Sequence, residues 1–113
     1  MARKCLNCEA RKGMTRFEDE AFIMTAGSFR PLEDAFRIAH AQLVHWLAAD
    51  VGLSLLDAYQ LVSQAARSPI ANVVDTNYTV LAKFPKRYLP SDLVVMGGAH
   101  ERLRKLGAAH PAN

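Results

Sequence analysis

Cys5 and Cys8 stand in the run CLNC, a CxxC spacing near the start of the chain. Two thiolates so placed can supply half of a tetrahedral zinc site or form a redox pair. Zinc needs four ligands, and no second CxxC follows. The histidines, at 40, 45, 100 and 110, lack a completing spacing. His40 and His45 are five apart, about 140° around a helix, and cannot grip one metal. A thioredoxin-like pair would sit between a strand and a helix, whereas CLNC sits in an unpatterned arm, so two incidental free thiols are the plainer reading. Ser63 lacks a G-x-S-x-G elbow. Gly97-Gly98 lacks the Lys-Ser/Thr of a phosphate-cradling loop. Glu18, Asp19 and Glu20 form an acidic run, read as a solvated lead-in to a strand. Asp75 and Asn77 are the polar pair flanked by apolar strands, and turn chemistry accounts for both.

The 113 residues allow one domain. Half of them are apolar and 22% charged, an ordinary globular composition. No apolar stretch approaches the ~20 residues of a membrane span, and no signal-peptide pattern opens the chain. A cytoplasmic, soluble protein is expected. The net charge of +3 is unevenly spread. Residues 1–16 carry five Lys/Arg against one acid, 17–82 three against eight, and 83–105 six against two. Basic ends around an acidic centre allow a nucleic-acid or protein-interaction module as the alternative function. The basic residues lack the interleaved aromatics that favour single-strand binding, which makes nucleic acid the weaker partner.

The elements that would position these residues follow from periodicity. Residues 1–14 show no period and are expected to form a flexible basic arm. AFIMTA, residues 21–26, predicts a short strand ending at Gly27, with Phe22 and Met24 on one face. PLEDAFRIAHAQLVHWLAAD predicts a helix with Pro31 in its first turn and Gly52 as its stop. Its apolar stripe is Leu32, Ala35, Phe36, Ala39, Leu43, Trp46 and Leu47, and Glu33 can pair with Arg37. Ser54 caps a second helix, with Asp57 three residues on, whose stripe is Leu55, Ala58, Tyr59, Val62 and Ala65/Ala66. The short connection predicts a tight αα-hairpin. Pro69 ends it, and IANVVDTNYTVLAKFP predicts a β-hairpin turning at Asp75-Thr76-Asn77. In residues 91–113 a weak helix from a Ser91 cap to Leu106 would carry Gly97-Gly98 at a cost of roughly 2 kcal/mol, before a frayed tail. The fold class is α+β: a short strand, an αα-hairpin and a β-hairpin.

The order of these elements resembles the carboxy-terminal part of the acetamidase/formamidase family over about residues 15–90. The matching positions are Glu18, Gly27, Ala35 and Ala39, Gly52-Leu53-Ser54, Ala58-Tyr59, Ser63, Val73-Val74-Asp75 and Pro85-Lys86. Family members are several hundred residues long, so the resemblance implies a fragment or subunit of a larger β-rich fold. It implies hydrolysis of short linear amides to a carboxylate and ammonia. It also implies a divalent metal, often zinc, held by the preceding β-rich region, acidifying a water while a carboxylate shuttles the proton. That region is not in this chain, which is therefore expected to be inactive alone, to dock on a larger amidase chain, or to self-associate. Glu18 is the matching acid on the family's substrate side; Asp75 and Asn77 are the other candidates. The run Ala65-Ala66-Arg67-Ser68-Pro69 and residues 1–14 depart from the family pattern.

Overall fold

The computed structural model describes residues 15–74 and 76–109. Strands β1 (Thr15–Glu18) and β2 (Phe22–Phe29) are followed by helices α1 (Leu32–Val51) and α2 (Leu55–Ala65). Strands β3 (Ile70–Asn72) and β4 (Tyr78–Pro85) come next, then two 3₁₀ turns and helix α3 (Ala99–Ala109). The strands form one antiparallel sheet in the order β1-β2-β4-β3. The expected hairpin is present, and it is not alone. β4 pairs with β2 along its whole length, from Tyr78 opposite Phe29 to Pro85 opposite Phe22. It is therefore an interior strand, with both rows of backbone groups engaged.

Alternation along the strands decides which residues meet α1. Ile23 and Thr25 of β2 lie opposite Phe84 and Ala82 of β4, and all four are buried with Val80. Period-two geometry puts this set on one face. The buried face of α1, made by Ala35, Ala39, Leu43, Trp46 and Leu47, covers it. Phe22 and Met24 point to the other face. Burial of each large apolar side chain here is worth about 1.5–3 kcal/mol. Thr25 adds a polar tie, its Oγ1 donating to the Ala39 carbonyl at 2.6 Å. Such close approach needs Gly27: a Cβ there would lie 2.2 Å from the Ala35 carbonyl oxygen.

The helical hairpin forms as its local signals dictate. Gly52 ends α1 at φ +83°, its N–H bonding the Ala48 carbonyl at 3.2 Å. The αL geometry there favours glycine, which has no Cβ to clash. Ser54 Oγ accepts from the Asp57 N–H at 3.1 Å, capping α2.

Other expectations are corrected. Pro31 precedes the helix as its extended N-cap residue, one place earlier than expected. Arg37 pairs with Asp34 at 3.1 Å and not with Glu33. Phe36 is 45% exposed, and Leu55 and Tyr59 are exposed too. Val44 is buried in the hairpin where the drawn stripe had not placed it. β2 continues beyond Gly27 to Phe29 because β4 pairs with it that far. Val73 and Val74 lie outside the strand, Val74 being 89% exposed. The Asn72 Oδ1 accepts the Val74 N–H at 3.0 Å, an Asx turn that ends the ladder. The last helix starts at Ala99 and not after Ser91, because Met96, Gly97 and Gly98 all take positive φ. It runs through Gly107 to Ala109, where a frayed tail was expected.

Candidate functional site

The acidic run Glu18-Asp19-Glu20 links β1 to β2 at the corner where the chain leaves β4. Asp19 builds the turn: its Oδ1 accepts the N–H groups of Ala21 at 2.8 Å and Phe22 at 2.7 Å. Its own N–H donates to the Phe22 carbonyl at 3.0 Å. These bonds point Glu18 and Glu20 in different directions. The Lys86 N–H donates to the Ala21 carbonyl at 2.7 Å, tying the exit of β4 to the same turn.

That tie brings Lys86 to Glu18. Lys86 Nζ lies 2.6 Å from Glu18 Oε2, with side chains 22% and 7% exposed. A charge-assisted contact of this length, shielded from water, is stronger than a solvated pair. Glu20 instead reaches α3, where Arg104 donates to its Oε1. Arg104 also lies 3.5 Å from Glu101. Lys83 and Arg67 sit over the Phe22 ring, at 4.4 and 5.5 Å from its centroid. Asp19 and Glu20 are exposed, as the solvated lead-in requires, and Glu18 departs from it by being shielded against Lys86.

Charge balance at the corner follows. Partial burial works against the Asp19 anion, but the two backbone donors, aided by Lys83 and Lys86, outweigh it and hold its carboxyl below the ordinary value. The Arg104 hydrogen bond lowers Glu20, and the same bond raises Arg104.

The other sequence candidates do not join this corner. Asn77 is exposed in the β3–β4 turn, at the opposite end of β4 from Lys86. Asn77 and Phe84 are seven steps apart along the chain, roughly 23 Å at the usual strand rise. Asp75, Cys5 and Cys8 lie outside the described residues. Ser63 Oγ donates back to the Tyr59 carbonyl at 2.8 Å, inside its own helix. His40 Nδ1 lies 2.9 Å from the Phe36 carbonyl oxygen, and its Nε2 lies 2.7 Å from Ser68 Oγ. His45 is exposed on the same helix. Among the described residues, no three His, Cys, Asp or Glu side chains are placed to hold a metal ion.

Lys86 and Ser68 are the polar partners that sequence reasoning missed. Lys86 stood in the matched Pro85-Lys86 pair without a role, and a chain-distant partner leaves no local spacing to find. No described helix is long and apolar enough to cross a membrane.

No protein-family profile matches the chain, and no curated protein matches it. Among solved structures, it is similar to an acetamidase from Yersinia enterocolitica. The two share 47% identity with a TM-score of 0.65, over 67% of this chain and 23% of the acetamidase. The chain thus spans about a quarter of that protein's length. Identity at this level, carried by a superimposable mixed helix and antiparallel-sheet fold, places this segment in an acetamidase/formamidase-like relationship.

Proposed function

We propose that this segment serves an amide hydrolase of the acetamidase/formamidase type, as its carboxy-terminal part, and acts only together with the remainder of that fold. The observation that carries the reading is the 47% identity combined with coverage of 23% of an acetamidase. The reaction is hydrolysis of short linear amides such as formamide or acetamide to a carboxylate and ammonia. A divalent metal held by the larger region would polarise the carbonyl and activate water.

Within the segment, the Glu18–Lys86 corner is the group proposed to face that region. Its buried carboxylate is oriented by an ammonium at 2.6 Å and by the Asp19 turn behind it. An oriented pair of opposite charges can hold a polar group of the substrate or a neighbouring loop in one place. Asn77 belongs to the other end of β4, so a role for it would serve a separate contact.

The test is ammonia release from formamide and acetamide, with added zinc, by the purified 113-residue chain. No release above buffer is expected. Turnover by this chain alone would overturn the need for a further region. Joining the chain to the rest of an acetamidase in place of the matching segment should restore ammonia release, and Glu18→Gln should then lower it.

A further inference from the structure

Away from the acidic corner, α1 and α2 enclose an open groove of about 960 Å³. Phe36, Val44, Leu55, Tyr59 and Val62 form its apolar wall, and His40 and Ser68 stand at its edge. The position of Ser68 is set by the sheet. Its neighbour Arg67 exchanges both backbone hydrogen bonds with Lys83, each at 2.8 Å, and the Pro69 carbonyl accepts from Leu81 at 3.0 Å. Ser68 is therefore pinned between two backbone anchors and cannot drift from α1.

The hydrogen-bond partners of His40 match one tautomer of the neutral ring. The Phe36 carbonyl can only accept, so Nδ1, 2.9 Å away, carries the hydrogen and donates. In the neutral ring, Nε2 is then the bare acceptor, and the group 2.7 Å from it is the Ser68 hydroxyl. Ser68 must donate its proton to Nε2. The ring is further held by stacking on Phe36, centroid to centroid at 3.9 Å. A hydroxyl donating to an imidazole whose other nitrogen is fixed by a third group is the arrangement of an activated nucleophile.

We propose that Ser68 and His40 form a nucleophile–base pair that accepts an acyl group from esters with an apolar acyl chain lying in the α1–α2 groove. Ser68 Oγ bonds to the ester carbonyl carbon as its proton passes to His40 Nε2. The tetrahedral adduct collapses with cleavage of the ester C–O bond, and the departing oxygen takes the proton. Water then attacks the acyl-serine, giving up its proton to Nε2, and Ser68 leaves with that proton. The sum is ester plus water to acid plus alcohol. This reaction is independent of the amide hydrolysis proposed above, because it needs neither metal nor the acidic corner.

The test uses the full chain with a fluorophosphonate probe and with p-nitrophenyl butyrate. Peptide mapping by mass spectrometry should place one phosphonate adduct on Ser68. Nitrophenolate release should vanish in Ser68→Ala and fall about 10²- to 10⁴-fold in His40→Gln, the span that general-base assistance supplies. Ser91→Ala, an exposed serine outside the groove, should leave both readouts unchanged. Ser68 serving only to pin the linker would give no adduct there. An absent adduct, an adduct elsewhere, or full release in either variant overturns the proposal. The mapping on the unaltered chain decides the matter even where a variant does not fold.

Discussion

Replacing Gly27 by alanine strikes the contact on which the whole helix–sheet packing depends. The added Cβ would stand 2.2 Å from the Ala35 carbonyl oxygen, 2.8 Å from the Ala39 nitrogen and 3.0 Å from the Ile38 Cβ. Two of these three are backbone atoms of α1, so no side chain can rotate out of the way. Ordinary contact begins at 3.4 Å, which requires α1 to move off β2 by about 1.2 Å. A gap of 0.5–1 Å already forfeits a quarter to a half of the dispersion attraction across an interface. The same shift stretches the 2.6 Å bond from Thr25 to the Ala39 carbonyl. Overpacking of a filled core costs about 1–3 kcal/mol, and rigid backbone on one side puts Gly27→Ala at about 3 kcal/mol. For a domain this size that lowers the melting temperature by about 12–24 °C. Gly52→Ala is the control: its φ is +83° and nothing lies within 4 Å, so only the left-handed backbone is penalised. That cost is about 1–2 kcal/mol. Urea and thermal unfolding followed by circular dichroism should rank Gly27→Ala well below Gly52→Ala. Equal or reversed losses would refute the close-approach argument.

The corner pair makes a second test. Lys86→Met leaves Glu18 shielded from water without its cation, and should cost about 2–3 kcal/mol, less than the ~3–5 of a fully buried pair. Glu18→Gln in the same chain should recover part of the loss, and a coupling energy below about 0.3 kcal/mol in the urea cycle would show the pair to be incidental. Asp19 gives a pH signature. Its folded carboxyl lies below the ordinary 3.8, so its contribution is present above that value and is lost as pH falls through the lower, folded one. Unfolding midpoints should therefore favour the native chain over Asp19→Asn at pH 6, with the gap closing below pH ~4; a gap that stays constant down to pH 2 would contradict it.

The αα-hairpin was legible because its signals are local. Gly52 as the stop and Ser54 as the cap, accepting from the Asp57 N–H, act within one helical turn. The faces of the helices were less so. Phe36 and Tyr59 share the apolar spacing of their stripes, yet they line the groove while Ala35, Ala39 and Ala58 take the buried positions. Spacing identifies an apolar stripe about 100° or more wide, and only the partner surface selects its centre. Strand limits were harder still. The Val73-Val74 pair has strong β-propensity, but an Asn72 side-chain bond takes the Val74 N–H out of the ladder. β1 is only four residues long and ends at Glu18, and its pairing with β2 is what makes it a strand.

The site divides in the same way. Glu18 was visible as an acid in a family-like position, while its partner is contributed from the far end of β4. His40 and Ser68 lie 28 residues apart, and neither carried a motif. By itself the sequence determined the α+β class, the helical hairpin and its caps, and the likeness to acetamidases. These rest on interactions between residues three or four apart, or on order along the chain. The tertiary structure decided that β4 is an interior strand, that Lys86 meets Glu18, and that Ser68 Oγ lies 2.7 Å from His40 Nε2. Each depends on antiparallel register between distant segments, where a shift of one residue would turn every side chain to the other face.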